Sequence, residues 1–560
     1  MKVKPLLTDV RDFDFVDKYL EACGVKDVRR WLRHDRRNLD RSFDYPNMNR
    51  AVEVVDSAVK TRMDIGILCD QDCDGICSSA IIYLYLTKQL KVSPDNITMF
   101  FHEGKSHGLS VNQDENIVQQ VIDSGVNLLI IPDASSNDAD GANELYRYGI
   151  NTLVLDHHNV DTEVLERSKA IVVNPHLGQG LNTALSGAGV THKFCEAYSL
   201  AFSAPAPMYY DFVAVSLISD VCDLTTLENS TYLYKGLSQL AHSTSGSKQL
   251  KALSNTFNRN ITPIGLAFGM IPPINALCRM PGTDDKRKFF MALVGQEDID
   301  EGIKIIKEAR KYQQKLVKDM VAVIEPELDT THKVNVGFAD NEHKAYVGLI
   351  ANKFCGATNK PTILLRPEST TTWSGSVRSP FPIASLVNES GLADCQGHEE
   401  ACGIFLKRSN LSKLIRWFDN LDIGAVEPDI EVAAELAPSQ ITLALCQVCE
   451  DYKTIWCASQ GSKIVEPKFY IKATVTNDML MYCGKANNSI RFTIDGVDFW
   501  KFKCSEEQLE QFDMYKKFDI EMIVTLGVNE WEGQKNPKAL IDKFEIVKHE
   551  DEVKNWEEEF

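Results

Sequence analysis

From Met63 to about Asp223, five short apolar runs alternate with longer amphipathic stretches: Ile65–Cys69, Ile97–Phe101, Leu128–Ile131, Thr152–Leu155 and Ile171–Val173. Each run is rich in Ile, Val and Leu, and enough chain separates it from the next for a helix. That alternation predicts a parallel sheet covered on both faces. Asp298–Ile324 reads as one charged helix with Ile303, Ile306, Leu316, Val317, Met320 and Ile324 at helical spacing, stopped by Pro326. A second α/β segment follows, with Val334–Phe338, Ala345–Ile350 and Thr362–Leu365 as strands and a glycine-rich region from Ser374 to Gly403. Past Glu431, the runs Phe469–Val475, Ser489–Ile494, Phe499–Phe502, Phe518–Leu526 and Lys543–Val547 predict five strands of a small β-barrel. The fold class is α/β, divided into a lead-in (1–50), a parallel-sheet domain (51–297), a connecting helix (298–326), a second α/β domain (327–430), a β-barrel (431–549) and an acidic tail (550–560).

Composition narrows this reading. In 560 residues, 44% are hydrophobic and 25% charged, which is ordinary globular usage and excludes wholesale disorder. The longest nearly apolar stretch, Ile264–Leu277, is too short to span a bilayer and holds two prolines. The first residues turn acidic before a signal-peptide core forms. A soluble cytoplasmic protein with no membrane partner is expected, and a monomer. Its 15 cysteines show no paired framework and read as reduced thiols. Sixty basic against 79 acidic side chains give a net charge of −19. A polyanion partner would therefore need local basic patches or bound cations.

The chemistry gathers at strand ends. Asp70-Gln71-Asp72-Cys73-Asp74-Gly75 follows the run Ile65–Cys69 directly. Three carboxylates at alternate positions repel one another unless cations neutralise them. A calcium loop of D-x-D-x-D-G type would carry a Glu six positions after the glycine, and Ile81 stands there. Leu128–Ile131 exits into Pro132-Asp133, and Thr152–Leu155 into Asp156-His157-His158. Asp220 follows the apolar stretch Phe212–Ile218. If the sheet is parallel these groups converge, because ligands bind at the carboxyl ends of its strands. Oxygen donors with one or two imidazoles suit Mn²⁺ or Mg²⁺ better than zinc, and a pair of such ions would clamp a phosphoryl group.

This ordered set resembles the DHH phosphoesterase superfamily, and within it the RecJ-type single-strand-specific exonucleases. Asp70-x-Asp72-x-Asp74-Gly75, Asp133, Asp156-His157-His158 and Asp220 resemble its four motifs in order. Asn174-Pro175, Ser186-Gly187-Ala188-Gly189-Val190 and Ile274-Asn275-Ala276-Leu277-Cys278-Arg279 add to the likeness. Ser374-Gly375-Ser376-x-Arg378-Ser379 and Gly397-His398-x-x-Ala401-x-Gly403 resemble the DHH-associated domain, and the region after Glu431 resembles an OB domain.

The resemblance implies that Asp72, Asp74, Asp133, His157 and Asp220 ligate two Mn²⁺ or Mg²⁺ ions, with Asp133 as bridge. Asp70 would ligate or support, Asp156 would orient a neighbouring His, and His158 would contact the scissile phosphate. Ser376, Arg378, Ser379, Gly397, His398, Asn275 and Arg279 would hold the substrate. It implies a 5′→3′ single-stranded-DNA exonuclease of repair, recombination or replication, working with a helicase or single-strand-binding protein. Two alternatives stand beside it: a phosphodiesterase for short oligoribonucleotides or cyclic dinucleotides, and a catalytically silent replication scaffold. Three positions depart from the family: Leu68 stands where many relatives carry a His, Gln396 where a Gly is usual, and Cys278 where a Gly is common.

Weaker signals complete the reading. Arg29, Arg33 and Arg37 would share one helix face, within a basic run that also holds Arg30, Arg36 and Arg41. The run is a strand-binding patch or a solvated face paired with Asp27, Asp35 and Asp40. Lys304, Lys307, Arg310, Lys311, Lys315 and Lys318 of the long helix read mostly as a solvated face, although the helix joins the two lobes and could border the substrate groove. Of Phe469, Tyr470, Phe492, Phe499, Trp500 and Phe502, one or two are expected at the surface as base-stacking platforms.

Overall fold

The computed structural model describes all residues except 104–105, 110–116, 243–245, 258–260, 422–429, 457–462, 485–486, 532 and 553–560. Most of the acidic tail therefore lies outside the described residues.

The chain opens on a strand, β1 (Val3–Leu7), that belongs to a sheet built more than 400 residues later. The first domain then forms around five parallel strands: β2 (Ile65–Cys69), β3 (Ile97–Phe101), β4 (Leu128–Pro132), β5 (Asn151–Leu155) and β6 (Ile171–Val173). Their order is β3-β2-β4-β5-β6. Every residue of β2 and β4 is buried, as the near-continuous apolar runs require when helices cover both faces. The order reverses between β2 and β4, so the loops leaving these strands diverge and open a crevice at their carboxyl ends.

The connecting helix spans Ile299–Ile324, with Ile303, Ile306, Gln313, Val317, Met320 and Ile324 on its buried face. It leads to a five-stranded sheet of β7 (Asn335–Phe338), β8 (Thr362–Pro367), β9 (Thr372–Arg378), β10 (Asp394–His398) and β11 (Ala401–Lys407), in the order β10-β11-β9-β8-β7. One expectation fails here: Ala345–Ile350 is not a strand. The short apolar run continues into the helix Val347–Thr358, where Val347, Ile350, Ala351 and Phe354 bury one face at i, i+3, i+4, i+7. Read alone, the run was too short for its period to show.

The last domain is an eight-stranded sheet. Its strands are β1, β12 (Ile430–Leu436), β13 (Lys468–Thr476), β14 (Met481–Cys483), β15 (Ser489–Ile494), β16 (Val497–Lys501), β17 (Tyr515–Trp531) and β18 (Gln534–Glu552). They run in the order β1-β12-β13-β17-β18-β16-β15-β14. Among the described residues no pairing joins the outer strands, so the sheet is open where a closed barrel was expected. The lead-in is no separate unit: β1 pairs in parallel with β12, Val3 opposite Ile430. The helix Phe15–Ala22 packs Phe15 against Phe469, rings tilted at 5.5 Å, and Tyr19 edge-on against Trp456 at 5.8 Å. One continuous core therefore runs from the first domain into the last.

Candidate metal centre

Three adjacent strands of the first sheet end in acidic loops. Beyond β2, Asp72 starts the helix Cys73–Leu84, its carboxylate accepting from the N–H of Gly75 at 3.0 Å. Beyond β4, the chain turns through Asp133 (φ 71°) and Ser135 (φ 81°), both left-handed, a conformation uncommon outside glycine and tolerated by aspartate. Beyond β5 come Asp156, His157 and His158. Asp220 arrives from the end of a helix, Tyr210–Ser219.

The side chains meet. Ligand atoms of Asp70, Asp72 and Asp133 lie within 4.8 Å of one another, as do those of Asp74, His157 and Asp220, and those of Asp133, Asp156, His157 and His158. His157 Nε2 stands 3.2 Å from Asp133 Oδ1, 3.8 Å from Asp220 Oδ2 and 3.9 Å from Asp74 Oδ2. Asp133 thus faces both an all-carboxylate group and an imidazole-containing one.

Around this cluster the polar atoms divide into satisfied and orphaned. Asp74 is buried and fully held. Its Oδ1 accepts from Ser78 Oγ (3.0 Å), Ser216 Oγ (2.7 Å) and the N–H of Ala188 (3.0 Å), and its Oδ2 from the N–H of Gly187 (2.9 Å). Two of those donors are the first N–H groups of the helix Gly187–Phe202, whose dipole favours an anion there. Position 187 must be glycine for a second reason: a Cβ would stand 2.3 Å from Asp133 Oδ1. By contrast, Asp70 Oδ1 and Asp133 Oδ1 are buried with no hydrogen-bond donor. A buried carboxylate oxygen without a donor is costly unless a cation takes it.

Burial first, and then the charges of Asp70 and Asp74, push Asp72 up to about 7. Burial and the same kind of repulsion hold Asp133 well above the usual carboxylate range, and burial raises Asp220. Carboxylates this reluctant to ionise together, with orphaned oxygens and an imidazole at the rim, are the donor set of a divalent-cation site of the Mn²⁺ or Mg²⁺ type.

Asp156 plays a different part. Its Oδ1 takes the N–H of His157 (2.7 Å) and stands 2.8 Å from His158 Nδ1, while Oδ2 takes the N–H of Ser136. Burial, the largest single cause, would raise it, but the bond to His158, the charges of His158 and His157 and the contact with Ser136 together outweigh burial and hold it below the usual range. Reciprocally, that bond lifts the exposed His158 to about 9.

The expected substrate residues separate into two groups. Arg279, Ser376 and Arg378 line one cavity of about 600 Å³ with Gly375, Gln396 and Gly403. Arg378 is braced by Ser376 Oγ and the carbonyl of Val377, both at 2.7 Å. Burial lowers its guanidinium from the ordinary value, and Arg279 adds to this. Asn275 and Arg279 line a neighbouring cavity of about 360 Å³. Ser379 lines neither cavity; its hydroxyl accepts the N–H of Phe381 at 3.2 Å. Gly397 holds a φ of 127°, which a side chain would strain, and serves the turn into β11. His398 ends β10, and its side chain lies outside the described residues.

The arginine run is corrected too. Its helix ends at Arg33 with His34 left-handed, so Arg37 cannot share that face. Arg36 pairs with Glu196, Arg37 with Asp35, and Arg30 bonds Asn38 and the carbonyl of Arg37. Leu68 packs in an apolar cluster and offers no ligand atom. Of the six aromatics, Phe469, Tyr470, Phe492 and Phe499 are buried, Trp500 is half-buried and Phe502 exposed.

Sequence reasoning missed several contributors. The Asp74 cradle from Ser216 had no local signal. His107, whose Nδ1 lies 2.8 Å from Asp70 Oδ2, sits 37 residues downstream. Arg310 stands among the basic residues read mostly as a solvated face, and Gln313 lies in the buried stripe of the same helix.

Comparison with known proteins agrees with this geometry. Residues 64–217 match the DHH family, N-terminal domain. The SPbeta prophage-derived protein YorK of Bacillus subtilis (strain 168), named for single-strand DNA-specific exonuclease, is 26% identical over 96% of this chain and 97% of its own. Bacillus subtilis RecJ, named single-stranded-DNA-specific exonuclease, is 25% identical over 96% of this chain and 69% of its own. Thermus thermophilus RecJ, solved in complex with Mn²⁺, superposes with a TM-score of 0.71 at 20% identity, covering 97% of this chain and 78% of that one, so the fold is shared.

Proposed function

We propose that this chain, which carries a DHH-family domain within a RecJ-like fold, is a metal-dependent phosphodiesterase: a 5′→3′ exonuclease for single-stranded DNA. One observation carries the reading. Asp70, Asp72, Asp74, Asp133, His157 and Asp220, drawn from four separate segments, meet at the carboxyl end of one parallel sheet with two carboxylate oxygens lacking any donor. A catalytically silent scaffold has no use for so costly an arrangement. The 5′→3′ polarity rests on the likeness to RecJ.

Asp70, Asp72 and Asp133 would hold one cation, and Asp74, His157 and Asp220 a second. When bound, such ions supply positive charge to the phosphoryl oxygens and lower the pKa of a water near neutrality. The protein's own residues do the rest. Asp133 faces both groups. The helix N–H groups and Ser216 fix Asp74 so that only its Oδ2 remains for a cation. Asp156 holds His158 through Nδ1, which keeps the imidazolium charged at neutral pH and leaves its Nε2 proton to bind a phosphoryl oxygen or reach the departing 3′ oxygen. Arg378 and Arg279 grip phosphates in the first cavity, where a planar guanidinium matches two oxygens at once. No helix of the described residues is long and apolar enough to cross a membrane. The strand, rather than a lipid surface, is the partner. Action with a helicase or single-strand-binding protein, as a monomer, completes the proposal.

The test is incubation with oligodeoxynucleotides labelled at either end, in Mn²⁺, Mg²⁺ or chelator. Labelled mononucleotide should leave a 5′-labelled single strand at once, while a 3′ label should yield a ladder, with duplex untouched and chelator abolishing both. Cleavage of cyclic dinucleotides with no action on long strands would replace this reading.

A further inference from the structure

Asp220 is presented by a turn that its own sequence resists. The helix Tyr210–Ser219 ends on Asp220, and Val221 follows with a φ of 52°. Two bonds close the turn: the N–H of Cys222 donates to the carbonyl of Leu217 at 3.0 Å, and that of Val221 to the carbonyl of Ile218 at 3.4 Å. This is the Schellman pattern, and glycine is its usual left-handed residue because that backbone costs glycine nothing. For a β-branched valine the same backbone is a genuine outlier, and it persists only where the surroundings enforce it. Val221 is 40% exposed, so the packing of its own side chain does little of the enforcing.

The constraint comes from the next helix, Leu227–His242. Its Asn229 is fully buried and reaches across to two loops. The Nδ2 of Asn229 donates to the carbonyl of Ala184 at 2.7 Å and to that of Asp223 at 2.9 Å, and its Oδ1 accepts from Asn182 Nδ2 at 2.8 Å. Two carbonyls can be met only by an NH₂ group, so the amide has one orientation, and an aspartate of the same shape cannot do its work. Asp223 lies three residues after Asp220. Ala184 lies two residues before Ser186, whose hydroxyl caps the helix that turns the N–H groups of Gly187 and Ala188 onto Asp74. One buried amide therefore joins the loop leaving Asp220 to the segment entering the Asp74 cradle, and Asp74 and Asp220 share one group of ligand atoms with His157. Beside it, Trp31 Nε1 donates to the carbonyl of Leu224 at 2.9 Å and ties the same loop to the lead-in.

We propose that Asn229 is a positioning residue for the metal centre: it holds the Val221 turn in its strained form and, through that turn, keeps the Asp220 carboxylate directed at Asp74 and His157. The inference rests on the divalent-cation reading of the cluster and adds to it a residue that touches none of the ligand atoms. Without the clasp, Val221 relaxes towards an ordinary backbone, the two closing bonds of the turn break, and the last turn of the helix frays with Asp220 at its end. Glycine at 221 makes the clasp dispensable, because the turn then holds by its own two hydrogen bonds.

The experiment is a double-mutant cycle on the full chain: Asn229→Ala, Val221→Gly and the two together, with Asn229→Asp as the variant of equal shape and thermal melts to show that each folds. Mn²⁺ affinity is read by calorimetry, and amide hydrogen exchange over residues 220–225 is read in chelator by mass spectrometry. Asn229→Ala should weaken Mn²⁺ binding about tenfold and speed that exchange about tenfold. Asn229→Asp should do at least as much, since its carboxylate faces two carbonyls. Val221→Gly alone should leave both readings within about twofold of wild type, and with glycine at 221 the cost of Asn229→Ala in Mn²⁺ affinity should shrink to about threefold or less. A folded Asn229→Ala with wild-type affinity and exchange would overturn the proposal. So would an equal loss with valine and with glycine at 221, which is what an asparagine of purely structural value gives. Should Asn229→Ala fail to fold, Asn229→Asp compared across the same two residues at 221 decides. If the wild type binds no Mn²⁺ while exchange in chelator follows the stated pattern, the cation reading fails and the hold of Asn229 on the Asp220 turn stands.

Discussion

Replacing Asp72 by Asn should stabilise the cation-free protein and abolish its response to Mn²⁺, and the size of the effect follows from the cluster. Asp72 rises from its ordinary value near 4 to about 7 because it is buried beside Asp70 and Asp74. A group whose folded pKa is raised binds more protons in the folded state. Its penalty is therefore small below the unfolded pKa and grows until the pH passes the folded one. The charge therefore costs little at pH 4 and on the order of a few kcal/mol by pH 8. Asn keeps the shape and can still accept the N–H of Gly75 through Oδ1, but carries no charge. In chelator, the melting transition of Asp72→Asn should lie several degrees above wild type at pH 8, and the two should converge towards pH 4. In Mn²⁺ at a hundred times its dissociation constant, wild type should regain about 2.7 kcal/mol and the variant far less. Parallel pH profiles for the two proteins, or equal stabilisation by Mn²⁺, would refute the account of the cluster as repelling carboxylates awaiting cations.

The remaining predictions concern the neighbours of that cluster. With His158 held at about 9 by Asp156, turnover that needs its imidazolium should persist through neutral pH and fall as pH rises past about 9. Asp156→Asn should bring that alkaline limb down by more than one pH unit, and His158→Gln should remove it with a loss of about 10²–10⁴ in kcat, read from pH–rate profiles. Gly187→Ala should force Asp133 aside, because the new Cβ would fall 2.3 Å from its Oδ1, and weaken Mn²⁺ binding about tenfold or more by calorimetry while leaving the circular dichroism unchanged.

Much of the site was legible because its residues sit at the ends of strands that announce themselves. β2 and β4 are five-residue apolar runs, buried throughout, and the acids that follow them converge because parallel strands share one exit edge. What escaped reading depends on distance along the chain. The Ser216 hydroxyl reaches Asp74 across 142 residues, and nothing local in Phe212–Ile218 shows which face of that helix carries the donor. The pairing of β1 with β12 joins residues 427 positions apart, and a five-residue strand gives no hint of its partner. Ala345–Ile350 misled for a different reason: six apolar positions fit a strand and the first turns of a helix equally, and only Phe354 beyond them decides.

Charge placement explains how a chain of net −19 can hold a polyanion. The arginines that look most like a nucleic-acid patch in sequence are partly committed: Arg36 to Glu196, Arg37 to Asp35, Arg30 to Asn38. Arg279, Arg310 and Arg378 are scattered over a hundred residues, yet they line two neighbouring cavities, and among the described residues none has a carboxylate partner. A half-buried guanidinium without a counter-ion acts through a lower effective dielectric than a surface lysine, so three of them outweigh a diffuse negative surface that salt already screens beyond about 8 Å. The acids of the metal cluster do not cancel them, because two divalent ions would neutralise most of the charge of Asp70, Asp72, Asp74, Asp133 and Asp220 where the phosphate arrives. Strand affinity should therefore depend on the cation as well as on salt. Chelator should weaken binding of a strand that reaches the cluster, and it should do so less in Asp72→Asn, whose cluster repels the phosphate with one charge fewer.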